Sequence, residues 1–334
     1  MKILSADEVD AALDDLALID RLDQLFRIGC EMPPRHHHTI TAPAGQGSAD
    51  ATLLLMPAWT QGSPPESGKG ESGGGRLGVK IVTVFPDNGR RSLPSIYGQY
   101  LLLDGETGAP LALLDGTMLT KRRTACASGL ASRYLSRRDA ARLLMIGTGA
   151  LAPHLIRVHS KIRPIREVAI WGRRPQEAQR LAHELSSSLP TTLGRAVTVR
   201  AVADRQQAVR AADIVSCATL SRTPLVEGAW LSDGQHIDLV GAFTPEMRES
   251  DDDAVRRAQV HVDTRAGATR EAGDIVLPIR SGAITTDNIV ADLFELARGE
   301  RSGRPPGDGH SITLFKSVGA ALEDLAAAEL AVER

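Results

Sequence analysis

The chain has 334 residues, 42% of them hydrophobic and 24% charged, and its 39 basic and 41 acidic side chains leave a formal net charge of -2. That length accommodates two ordinary domains with a sizeable core, and the near-balance of charge excludes an electrostatic footprint for nucleic acid or a membrane surface. No apolar run approaches the roughly 20 residues of a membrane-spanning helix, and the acidic, amphipathic start "MKILSADEVDAALDDL" is unlike a leader, so a cytoplasmic protein with small-molecule partners, or a second copy of itself, is expected.

In the first third, "ATLLLMPAW" (Ala51 to Trp59), "LGVKIVTVFP" (Leu77 to Pro86) and "IYGQYLLLD" (Ile96 to Asp104) read as antiparallel strands. The Gly, Ser and Pro-rich tract from Thr60 to Arg76 reads as a solvated, mobile hairpin loop. "TGAPLALLDG" closes another hairpin, and "TKRRTACASGLASRYL" predicts a helix capped by Thr120. From Arg142 onward the pattern changes. Six short apolar runs, "RLLMIG", "EVAIWG", "AVTVRAV", "ADIVSCAT", "HIDLVGA" and "VHVDT", alternate with helical spacing such as "PQEAQRLAHELSSSL". Such alternation marks a parallel sheet covered on both faces by helices. The run "SITLFKSVGAALEDLAAAELAVE" then opens with a short strand and ends in an Ala/Leu-rich helix, which can return to the first domain. The expected fold is therefore α/β, with a Rossmann-type, doubly wound parallel sheet at 119–310 inserted in a second α/β domain built from 1–118 and 311–334.

"MIGTGALAPHL" sets Gly147, Gly149 and Ala152 in a G-x-G-x-x-A arrangement directly after a strand and at the opening of a helix. The first glycine permits the tight turn, the second lets backbone approach a pyrophosphate, and the small third residue lets helix pack on strand. Thr148 and Ala150 lie in that turn. At the tip of the second strand "AIWGRRPQEA" offers Arg173 and Arg174 and no acid; arginine there suits a 2′-phosphate, so NADPH is the expected cofactor, with NADH possible. Thr219 ends the fourth strand near the cofactor cleft, and Ser317 in "FKSVG" is a further candidate beside the nicotinamide.

Three cations complete the candidate set. Arg35 lies in "PPRHHHT", Lys80 in "GVKIVTVFPDN", and Arg123 in "LTKRRTACASG" at the start of a helix; guanidinium groups grip carboxylates bidentately and a helix N-terminus favours an anion. No metal site is expected: His36 and His38 could converge from an extended chain but supply only two ligands, and Cys30, Cys126 and Cys217 lack a C-x-x-C pattern and read as reduced thiols.

"LLMPAW", "VKIVTVFPDN", "DGTMLTKRRTACASGLASRYL", "IGTGALA", "VGAFTPEMRE", "EAGDI" and "FKSVGAALED", in that order, resemble the motif series of the ornithine cyclodeaminase/mu-crystallin family over nearly the whole chain. The resemblance implies a homodimer, with the first domain serving substrate binding and dimerisation and a pocket between the domains. It places the family's carboxylate-binding arginines on Arg35 and Arg123 and its active-site lysine on Lys80. Cyclodeaminases of the family carry an aspartate where this chain has Phe243 and a glutamate just before the "MP" pair, where it has Leu54 and Leu55. A reaction that oxidises an amine, ejects ammonia and closes a ring needs more acid-base groups than a reduction. The ketimine reductase branch is the better match, with Phe243 as an apolar wall of the pocket or, alternatively, a plug between strand end and helix. The expected activity is NADPH-dependent reduction of Δ1-pyrroline-2-carboxylate or Δ1-piperideine-2-carboxylate to proline or pipecolate. The alternatives are a cyclodeaminase or alanine-dehydrogenase-like oxidoreductase, and a non-catalytic NADPH-binding protein of the mu-crystallin kind.

Overall fold

Helix signals at the start of the chain are explicit. After strand β1 (Lys2–Leu4), Ser5 and Glu8 form a reciprocal capping box on helix α1 (Ala6–Ala12), and Asp14 accepts from the amides of Leu16 and Ala17 to start α2 (Asp15–Ile28). Helix α2 turns Leu18, Ile19, Leu22, Leu25 and Phe26 inward, each such burial being worth roughly 1.5–3 kcal/mol. Gly29, at φ 87°, ends it. The computed structural model describes residues 1–42, 49–62 and 74–333, so the greater part of the loop expected between Thr60 and Arg76 lies outside the described residues.

Strands β2 (His36–Ile40), β3 (Ala51–Trp59), β4 (Arg76–Val84), β5 (Ile96–Asp104) and β6 (Pro110–Asp115) pair in the order β1-β6-β5-β4-β3-β2. Pairing is antiparallel except for β1 on β6. Because side chains alternate along a strand, one face collects Met56, Ala58, Lys80, Tyr100, Leu102, Ala112 and Leu114, all buried. Tyr100 lies across Gly78, where an added Cβ would come within 1.9 Å of the phenol oxygen. The residues 320–333 return to this sheet: the last helix, which follows all the elements below, packs on β3, β4, β5 and α2.

Helix α3 (Gly116–Leu135) begins four residues before Thr120. Asp115, whose carboxylate accepts from the amide of Met118, caps it, while the Thr120 hydroxyl donates to the carbonyl of Gly116 inside the first turn. The cap expected at Thr120 is thus misplaced, because the strand-to-helix junction at Asp115-Gly116 already satisfies the first amides. Arg123 consequently stands two turns into the helix rather than at its start, and the N-terminal field expected to favour an anion there does not act on it.

Next come β7 (Arg142–Ile146), α4 (Ala152–Ile162), β8 (Glu167–Trp171), α5 (Pro175–Leu193), β9 (Thr198–Ala201), α6 (Arg205–Ala211), β10 (Ile214–Cys217), β11 (His236–Leu239), α7 (Asp252–Arg257), β12 (Gln259–Val262), α8 (Arg265–Glu271), α9 (Gly273–Ser281), β13 (Ile289–Asp292), α10 (Leu293–Arg298), β14 (Thr313–Lys316) and finally α11 (Ala321–Glu333). The eight strands form one wholly parallel sheet, ordered β13-β12-β14-β11-β10-β7-β8-β9. Leu144, Ile146, Val215, Cys217, Ile237, Leu239, Val260 and Leu314 are buried along it, as a sheet covered on both faces requires. The expected Rossmann-type fold is present, with two differences. Strand β13 is additional to the six runs and the short strand foreseen. And β14, assigned from sequence to the first domain, pairs with β11 and β12, so the chain divides into Met1–Arg123 with Ala320–Arg334 and Thr124–Gly319.

Candidate active site

In the first unit, Lys80 projects from β4 onto the buried face and its Nζ lies 2.7 Å from Asp324 Oδ2. Arg123 joins the same carboxylate from α3: its Nε donates to Asp324 Oδ1 at 2.9 Å and its Nη1 to Glu323 Oε2 at 2.6 Å. Glu323 and Asp324 have no exposed surface. Charges removed from water in this way persist only when paired. Burial and the neighbouring Arg123 pull the Lys80 ammonium down to about 8 against the opposing pull of Asp324, with Arg35 lowering it further. For Arg123 burial works downward too, but Asp324 and Glu323 outweigh it and the net shift is upward. Arg35, Lys80 and Arg123 therefore do come together electrostatically. Glu323 and Asp324 were not foreseen; the signal was two adjacent acids opening a helix of alanine and leucine, which reads equally well as complement to the helix dipole. On β3, Met56 is the Cα partner of Lys80, and alternation gives the same face to Leu54. No carboxylate stands at either leucine before the "MP" pair.

In the second unit, the chain leaves β7 through Gly147 at φ 117°, where a Cβ would meet the carbonyl of Ala218 at 2.6 Å. The turn is therefore closed to any other residue by both backbone angle and space. A Cβ on Gly149 would meet nothing within 4 Å. Thr148 packs against Gly172 at the end of β8, and the first turn of α4 has no side-chain cap on its amides. Arg173 and Arg174, exposed just beyond β8, make no ion pair among the described residues. Bare amides, a close backbone approach and two uncommitted guanidiniums fit the phosphates of a dinucleotide, and they lie at the carboxyl ends of the strands, beside the β7/β10 point where strand order reverses.

The loop after β11 explains three of the sequence motifs together. Glu249 in "EMRE" accepts from the Thr219 amide and hydroxyl through Oε1, at 2.7 and 2.8 Å, and from the Gly241 amide through Oε2 at 2.8 Å. Asp274 in "EAGDI" accepts from the amides of Glu249 and Ser250, and Lys316 in "FKSVG" lies 3.5 Å from Asp274, fully buried. Burial pushes the Glu249 carboxyl up to about 7, Lys316 opposing and Asp274 reinforcing it. Thr219 is thus held by the Glu249 side chain. Ser317 is buried, and its hydroxyl donates to Asp263, so that group is committed to the loop that follows β14. Phe243, by contrast, is 42% exposed in the loop after β11.

A dinucleotide-type parallel sheet and a buried lysine-arginine-carboxylate cluster define an oxidoreductase-like class, and the sequence places it further. The pattern that defines the ornithine cyclodeaminase/mu-crystallin family matches residues 46–334, and the chain belongs to that family. It is 37% identical to a Delta(1)-pyrroline-2-carboxylate reductase of Colwellia psychrerythraea over 335 residues, covering 100% of this chain and 99% of that one. Among solved structures it resembles the Thermococcus litoralis Delta(1)-pyrroline-2-carboxylate reductase in complex with NADH and L-proline, with TM-score 0.84, 32% identity, and 100% and 97% of the two chains covered. An archaeal alanine dehydrogenase dimer with bound NAD follows at TM-score 0.83 and 27% identity, with 100% and 95% covered.

Glu249→Gln turns an amide donor toward either Thr219 or Gly241, whose own N–H groups already point there, and should cost about 1–3 kcal/mol in urea unfolding. The folded carboxyl titrates near 7 against an ordinary 4.5, so folding takes up a proton between those values and this group's contribution to stability falls as pH rises from about 4.5 to 7. The glutamine variant should lose that slope; an unchanged midpoint and slope would remove Glu249 from its role as tether.

Proposed function

We propose that the protein reduces a cyclic ketimine carboxylate, Δ1-pyrroline-2-carboxylate or Δ1-piperideine-2-carboxylate, to the corresponding cyclic amino acid, with NADPH as preferred cofactor. The observation that carries this reading is the buried cluster on β4, α3 and α11: Lys80 and Arg123 share Asp324, Arg123 also holds Glu323, and Arg35 acts on Lys80 from nearby, which sets cations of the kind that grip a carboxylate around an ammonium able to give up a proton. The two pairs to Glu323 and Asp324 fix the plane of the Arg123 guanidinium, and a group already oriented loses little freedom when it binds.

The nicotinamide supplies the hydride. Arg35 and Arg123 hold the substrate carboxylate. The ring nitrogen gains a proton as the C=N bond is reduced, and the Lys80 ammonium, poised near 8, is the donor. Asp324 keeps that ammonium charged despite its burial. Phe243, exposed next to the strand end, presents an aromatic face suited to the apolar part of a cyclic substrate. Neither Phe243 nor Leu54 can move a proton, which disfavours amine oxidation with ammonia loss. Arg173 and Arg174 select NADPH through its 2′-phosphate. A homodimer, as in the alanine dehydrogenase neighbour, belongs to the same proposal, as does a cytoplasmic place of action; no helix among the described residues is long and apolar enough to cross a membrane.

Oxidation of NADPH followed at 340 nm with the two ketimines in parallel is the direct test. Turnover with either supports the reading, whereas no turnover with both, together with ammonia release from ornithine or alanine in the presence of NAD, would overturn it. Lys80→Met should lower turnover by about 100-fold or more, with Asp324 still paired to Arg123. Because protonated Lys80 both donates and attracts the anion, kcat/KM should fall as pH rises through about 8, and a profile flat across pH 7–9 would exclude Lys80 as donor. Replacing Arg173 and Arg174 by serine should weaken NADPH by about 10–100-fold, the worth of one or two charge-assisted bonds, and leave NADH nearly unchanged; equal losses for both cofactors would contradict the assignment.

A further inference from the structure

At the opposite, amino-terminal edge of the parallel sheet lies a cavity of about 580 Å³ whose wall carries Arg133, Arg137, Arg138, Arg163 and Arg304. Among the described residues its acidic lining is Asp139 and Asp308. The place is defined by strand beginnings: Arg304 Nη2 donates to the carbonyl of Gln235, just before β11, and to the hydroxyl of Thr313, the first residue of β14. Arg304 Nε donates to the carbonyl of Leu135, at the C-terminus of α3.

What distinguishes this cluster from an ordinary basic surface is the nature of its acceptors. Arg163 Nε donates to the Ser136 hydroxyl, its Nη1 to the Ile162 carbonyl, and its Nη2 to the carbonyls of Ser132, Arg133 and Ser136, at 2.8–3.0 Å. All of these are neutral. Arg304 likewise spends its bonds on carbonyls and one hydroxyl. Both guanidiniums are thus locked in place by groups that satisfy their N–H bonds without cancelling their charge. The carbonyl end of α3 offsets a fraction of one charge, and Asp308 acts on Arg304. Arg163 nevertheless feels its neighbours: burial first, then Arg138, Arg133 and Arg304, draw it down to about 10. Arg137 is the exception, paired with Asp139 and Asp213. At the rim Arg138 is exposed and makes no ion pair with a carboxylate among the described residues.

The geometry points to an anion-binding site here, built for a compact, multiply charged anion of the phosphate class. Two fixed positive charges in the wall supply the field, and the rim guanidinium of Arg138 supplies N–H donors in the fork geometry that phosphate oxygens accept. A single carboxylate carries too little charge to match several guanidiniums; a phosphate or pyrophosphate group carries two or more. The site faces away from the strand ends that carry the dinucleotide turn, so both can be filled at once. This inference does not depend on which substrate the enzyme reduces.

The test is thermal unfolding of the full chain saturated with NADPH, which occupies the dinucleotide phosphate site, titrated with inorganic pyrophosphate, with ATP, and with sodium chloride at matched ionic strength. A saturable rise in melting temperature with pyrophosphate, beyond that with chloride, is expected, with one site per chain by calorimetry. A response to ATP alone would assign the phosphate to a nucleotide. Arg138→Glu, a change at an exposed position, should leave NADPH binding unchanged and raise the half-saturating concentration by at least about tenfold. No rise beyond the chloride control with either anion, or an identical titration in the Arg138→Glu protein, would overturn the site.

Discussion

Asp324 is the residue on which the first unit turns. It has no exposed surface, and it is shared by Lys80 from the sheet and Arg123 from α3. Any one of these three groups buried alone would carry a desolvation penalty of several kcal/mol. Together with Glu323 they pair one another's charges, and the same contacts fasten α11 to β4 and α3. The C-terminal helix is consequently part of this polar cluster as well as of the core. This accounts for the start of the helix, where Glu323 and Asp324 lie fully buried among alanines and leucines.

The second unit applies the same constraint to a different end. A parallel strand terminates in a loop whose amides have lost their ladder partners, and at the ends of β10 and β11 those amides belong to Thr219 and Gly241. Glu249 satisfies both. Its backbone is in turn held by Asp274, and Asp274 by Lys316. The chain of dependence runs from β14, through α9, to the loop that carries Phe243. A Cβ on Gly241 would meet the Thr219 carbonyl at 1.9 Å, so the two loops are in contact and leave no room for a larger residue. Loop shape here is therefore a consequence of buried charge rather than of local turn preference.

Much of this was legible in the residues. The G-x-G-x-x-A turn, the strands flanking it and the arginines after β8 follow from local rules, because each depends on backbone geometry or charge within a few residues of itself. Lys80, Arg35 and Arg123 were legible as candidate carboxylate-holding cations, and the motif series added their separate roles; the meeting of Lys80 with Arg123 comes from bringing β4 and α3 to α11, more than 200 residues apart in the case of Arg123 and Asp324. No periodicity reports such contacts. The start of α3 was misread because Thr120 is a good cap in isolation, and Asp115 is an equally good one that the preceding strand happens to present. The placing of β14 failed for a related reason: a four-residue apolar strand has the same pattern in either sheet, and only the partners at β11 and β12 decide.

Phe243 stands out in the loop after β11 because Gly241 and Ala242 beside it are buried and it is not. Its type alone excludes proton transfer. Its exposure, however, is informative only beside the surrounding order: Gly241, Ala242, Glu249 and Ser250 are all buried, and Glu249 ties the loop down on both sides. An aromatic ring left exposed on a loop this firmly anchored forfeits burial that a small rotation of an untethered segment would recover. The tether therefore keeps an apolar surface in view of solvent, and a ligand with an apolar ring is a means of covering it. On the substrate reading proposed above, the Glu249 carboxyl would bear on substrate choice without touching the substrate, and Glu249 and Asp274 differ from the acids absent at Leu54 and Phe243 in that they hold the loop in shape.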